Sequence, residues 1–140
     1  MTAPQANAPT AKTARLIHAA LVTGVLLFAI VGHFVLKPVS ADSGGLAPAM
    51  VPLLLGLSLG AGALSLLLQR RVPKRSTDES ADLFWRTAGT PAMLVWAALD
   101  AAGLLAVFVY ARTRSIAAVA VAAVALLIFI VLNPGYFERR

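Results

Sequence analysis

Hydrophobic and polar positions alternate along this chain on the scale of whole segments. Four runs are nearly free of charge, at 16–36, 46–68, 91–110 and 116–132, and basic or small polar residues gather between them. Each run approaches the roughly 17–25 apolar residues that carry a helix across a hydrocarbon core; the fourth, "IAAVAVAAVALLIFIVL", is at the short end. None shows the two-residue alternation of a barrel strand, and an open strand cannot satisfy its backbone groups in lipid. The pattern predicts an all-α integral membrane four-helix bundle over 15–140, preceded by a disordered tail at 1–14 ("MTAPQANAPTAKTA") rich in Ala, Thr and Pro. The rival reading of the N-terminus is a secretory signal with "VSA" at 39–41 as its cleavage site, but the first apolar run is longer than the roughly 7–15 residues of such signals.

Composition agrees. Of 140 residues 59% are hydrophobic and 13% charged, and mean hydropathy is +0.83. Four spans and their loops use nearly the whole chain and leave no room for a soluble catalytic domain. There is no cysteine, which excludes disulfides and thiolate metal sites.

The net charge of +6 follows the loops and forms no stripe with interleaved aromatics, so it argues for membrane topology and against nucleic-acid binding. With both termini in the cytoplasm, that side carries Lys12, Arg15, Arg70, Arg71, Lys74, Arg75, Arg86, Arg139 and Arg140. The opposite side carries Lys37, Arg112 and Arg114. Nine against three predicts N-in, C-in by the positive-inside rule, in a membrane of the bacterial cytoplasmic (inner) type. Arg70, Arg71, Lys74 and Arg75 are candidate contacts for anionic lipid headgroups. In "TDESADLFWRT", Thr77 followed by Asp78, Glu79 and Asp82 fits a capped surface helix, with Leu83, Phe84 and Trp85 at the headgroup boundary, and equally an irregular loop with those aromatics as anchors.

Small residues predict where spans meet, because close approach drives helix association in lipid. They are Gly56 and Gly60, with Gly62 and Ser65 beyond, in the second span, Ala97, Ala98, Ala101 and Ala102 in the third, Ala118 and Ala122 in the fourth, and Ala20 and Gly24 in the first.

Asp100 stands near the middle of the third span. An aspartate there costs roughly 2.5–3.5 kcal/mol on insertion and should face protein or water. A protonated carboxyl both donates and accepts hydrogen bonds, and Ser58 lies at the matching depth of the second span, so an Asp100–Ser58 contact is expected. The sharper alternative is an ion-carrying acid. His18 and His33 are about 22 Å apart along one helix, too far to share a metal. Each is a candidate axial ligand to a tetrapyrrole, His33 within an A-x-x-x-H pattern. The chain has no H-E-x-x-H, P-loop or G-x-S-x-G. It is expected not to be an enzyme and not to need a cofactor.

Two short stretches resemble known families. "AALDAAGLLAVFVY" is similar to the carboxylate-bearing helix of rotary ATPase proteolipid subunits, which implies ion binding at Asp100. "SGGLAPAMVPLLLGLSLGAGALSLLL", after a single N-terminal span, resembles the second span of the small membrane subunit of tripartite tricarboxylate transporters, which implies a companion to larger transport subunits. The expected role is a noncatalytic accessory or scaffold subunit of a larger membrane complex. The alternatives are a solute-transporter subunit, an ion-carrying proteolipid, and a cofactor-holding antenna or electron-transfer subunit.

Overall fold

A computed structural model describes residues 10–36 and 46–139. The "VSA" site at 39–41, Lys37 and Arg140 lie outside the described residues. Five helices follow in order: α1 (Ala11–Phe34), α2 (Met50–Leu68), α3 (Ala81–Thr113), α4 (Ile116–Val131) and α5 (Pro134–Glu138), with a 3-10 turn over Gln69–Arg71 after α2. There is no strand among the described residues. Helices α1, α2 with its following turn, and α3 are long and apolar enough to cross a membrane; α4 has 16 residues, a rise of about 24 Å.

The third helix is the common neighbour. Helices α1, α2 and α4 each pack chiefly on α3 and only slightly on one another. Accordingly half of the apolar stretch of α3 is buried, against 11% for those of α1 and α2, whose outer faces carry exposed Leu26, Leu27, Leu53 and Leu57. The buried positions of α3, among them Phe84, Ala88, Ala92, Val95, Leu99, Ala102 and Ala106, recur at three- and four-residue intervals and form a broad stripe.

Helix α3 also corrects the reading of 77–90. The capped segment and the third span are one helix of 33 residues, about 50 Å long, and its N-cap is Ser80, whose hydroxyl accepts from the Leu83 backbone N–H. Pro91 lies inside it and removes one N–H from the ladder, yet the helix continues because both sides of Pro91 are anchored in the core. Phe84 and Trp85 are buried there and do not face headgroups; Leu83 alone of the three is exposed.

The supposed tail contributes its last residues to α1. Thr10 caps the helix, the Ala11 N–H donates to Asp82 Oδ1 at 3.0 Å, and Ala14 is buried in the core. Asp82 thereby serves the N-terminal turns of both α1 and α3.

The small-residue faces differ in part from expectation. A Cβ at Gly56 or Gly60 would meet nothing within 4 Å, and Ala97, Ala101, Ala20 and Gly24 are exposed. The close approaches lie elsewhere. A Cβ at Gly103 would sit 3.1 Å from Val25 Cγ1, and one at Gly32 would sit 3.1 Å from Ala111 Cβ. Of the expected positions Ser65, Ala102 and Ala118 are buried, while the angular position of α3 against α1 adds Gly32 and Gly103. In the isolated chain Gly103→Leu is therefore expected to cost about 1–3 kcal/mol through overpacking. Gly60→Leu should be neutral or slightly stabilising, since glycine is a poor helix former. Unfolding titrations of the two variants in detergent check the order; equal loss would contradict the packing.

Candidate functional site

Several polar side chains within and beside the long helices close helix ends, and Asp100 is not among them. The last carbonyls of a helix have no partner inside it. At the C-terminus of α4, His18 Nε2 from α1 donates to the Phe129 carbonyl at 2.9 Å, Trp96 Nε1 from α3 donates to Leu132 at 2.7 Å, and Asn133 Nδ2 donates to Ile130 at 3.0 Å. Rings enclose the first of these bonds: His18 lies edge-on to Trp96 and to Phe129, each 5.2 Å away. His18 is thus a helix cap, and axial ligation through Nε2 would forfeit that bond.

Asn133 then opens the next helix, its Oδ1 accepting from the Tyr136 N–H, with Pro134 beginning α5. Helix α5 seats Phe137 in the core, and it brings Glu138 to Trp85 Nε1, 2.9 Å away, and to Arg15, 2.9 Å away. It packs beside α1 and supplies core contacts past the point where α4 stops.

The opposite end repeats the device. Arg114 donates to the carbonyls of His33 and Leu36 at 2.8 and 2.7 Å, closing the end of α1, and its guanidinium lies 5.2 Å from the centre of the Tyr110 ring. The Tyr110 hydroxyl and His33 Nδ1 share a hydrogen bond of 2.5 Å. Arg114 is also the C-cap of α3, in the left-handed conformation with φ 54°. One of the arginines that argues against the predicted orientation is therefore placed by helix closure.

Asp100 is different. It lies on the flank of α3 beside α1, in an open groove of about 760 Å³ whose walls include Ala20, Gly24, Ala101, Leu104 and Phe108. Among the described residues no hydrogen bond or ion pair reaches its carboxylate, and no cluster of three or more His, Asp or Glu side chains forms a metal site.

The expected contact with Ser58 is not made. Ser58 Oγ is buried and donates to the Ala102 carbonyl at 2.6 Å. The depth was right and the face wrong: Ala102 is two residues beyond Asp100, and two residues turn about 200° around a helix. Helix α2 consequently packs on the far side of α3 from the carboxylate.

The basic residues sort by end. Arg70, Arg71 and Lys74 are exposed, close in sequence to Val72, which packs in the same core cluster as Ala14 and Phe137. Arg75 Nε donates to the Glu79 carbonyl at 2.9 Å. Comparison of the chain with known protein families, characterised proteins and solved structures finds no match.

Proposed function

We propose that this chain is a small integral membrane protein that crosses a bacterial cytoplasmic membrane four times, both termini inside, and serves as a noncatalytic accessory or scaffold subunit of a larger membrane complex. The observation that carries this is how its polar side chains are spent. His18, Trp96, Asn133 and Arg114, groups from which a catalytic or ligand site would be assembled, are occupied in closing helix ends, and His33 is paired with the Tyr110 hydroxyl. Such capping makes a rigid unit, and that unit presents open apolar faces on α1 and α2, including the unfilled Gly56 and Gly60 positions.

The charge asymmetry supports the orientation. The ends of α1, α3 and α5 joined by Asp82, Arg15 and Glu138 lie together, and the basic residues near them outnumber those beside Arg114. Exposed Arg70, Arg71 and Lys74, with Arg75, would then rest among anionic headgroups. Ion carriage by Asp100 is the second reading, favoured by the open groove around it.

Purification in mild detergent tests the role. From its home membrane the chain is expected to bring other integral membrane proteins at a fixed ratio, while the chain expressed alone remains intact and smaller in native electrophoresis. A single, identical monomer from both sources would contradict the proposal.

A further inference from the structure

Resting on the accessory-subunit reading, we propose that the groove between α1 and α3 seats a transmembrane helix of a different polypeptide, one whose Lys or Arg side chain meets Asp100 at mid-depth. Asp100 lies ten residues from Tyr110 along α3, about 15 Å of rise, half the thickness of a hydrocarbon core. At that depth ionisable groups pair with one another or face water, and this one has no partner among the described residues. The groove is shaped for a helix: Ala20 and Gly24 on one wall and Ala101 on the other let a backbone come near, and Leu104, Phe28 and Phe108 offer apolar contact beside the carboxylate. Small residues alone would not choose the occupant; the charge does. A second copy of this chain is a poor match, since its four apolar runs contain no Lys or Arg at any depth.

The test places a photoreactive benzoylphenylalanine at Leu104, in the groove, or at Leu53, on the exposed face of α2, in cells that encode the chain. The groove position is expected to give an adduct with another protein, mapping to an apolar segment that contains Lys or Arg. Recovery of that protein should fall roughly tenfold or more in Asp100→Leu and less in Asp100→Asn. Exchanging the two charges, with Asp100→Lys against an acid in the partner, should restore it. Unchanged thermal unfolding of isolated Asp100→Asn would show that the loss is one of pairing and not of folding.

Other outcomes overturn the inference in distinguishable ways. Adducts from Leu53 alone, with full recovery of the companion from Asp100→Leu, would leave the complex standing and remove the groove from it. An adduct between two copies would replace the partner with self-association. An Asp100→Asn chain that keeps every companion but loses a proton or ion flux would make the carboxylate an ion carrier. No companion from either position would remove the accessory-subunit reading as well.

Discussion

Trp96→Ala is expected to destabilise the isolated chain by about 3–5 kcal/mol from the lost ring, with about 1–3 kcal/mol more because the Leu132 carbonyl is left without its donor. The ring is wholly buried, within 5.2 Å of His18, 5.8 Å of Trp85 and 6.3 Å of Phe137 between centres, so α1, α3 and α5 lose a shared contact. Trp96→Phe separates the two terms. It keeps most of the apolar volume and removes the N–H with a small part of the ring, so about 1–3 kcal/mol should remain from the lost donor, with a lesser cavity cost beside it. Equilibrium unfolding in micelles measures both; a silent Trp96→Phe would mean that the end of α4 does not depend on this donor.

Phe137→Ala should come next, at about 3–5 kcal/mol for a buried phenyl ring. Its wider consequence is release of α5. Once Phe137 no longer holds the segment, Glu138 leaves Trp85 Nε1 and Arg15, and the end of the chain becomes open to proteases. Glu138→Gln discriminates between anchoring by packing and anchoring by charge. The amide still accepts from Trp85, and the forfeited pair with Arg15 involves a side chain 62% exposed, for which about 0–1 kcal/mol is usual. Limited proteolysis should therefore clip Phe137→Ala rapidly and Glu138→Gln hardly at all. The reverse order would show that the ion pair holds the C-terminus.

The contrast between legible and illegible features follows from what periodicity encodes. Apolar length located α1, α2 and α4 within about five residues, since a charge-free run says where a helix lies, but α3 begins ten residues before its run. It does not say which way a helix faces, and Asp100 with Ser58 shows the consequence: equal depth, opposite flanks of α3. Gly56 and Gly60 show the same thing for spacing, because a G-x-x-x-G marks a smooth face without naming what rests on it.

The seam at 77–90 was hidden by Arg86 and Pro91, which read locally as a break. The helix runs through them because Phe84, Trp85 and Ala88 are buried on one side and Ala92, Val95 and Trp96 on the other. Helix α5 did have a local signal, Asn133 followed by Pro134, an N-cap before a proline at the first helical position. Nothing local announced that Glu138 would meet Trp85 and Arg15. Those contacts join residues 53 and 123 apart and exist only after α3 has brought the ends together.

The chain has no cysteine, so single thiols can report which side of the membrane each end occupies. Thr77→Cys, Ser115→Cys and Arg139→Cys should be made separately and treated with an impermeant maleimide on intact cells and on inverted vesicles. Four crossings with both termini inside predict that Thr77→Cys and Arg139→Cys label only in inverted vesicles and Ser115→Cys only in intact cells. Because α4 has only 16 residues, Arg139→Cys is the decisive position. Labelling of that thiol from the same face as Ser115→Cys would mean that α4 does not cross, and would contradict the four-span architecture on which the proposed role depends.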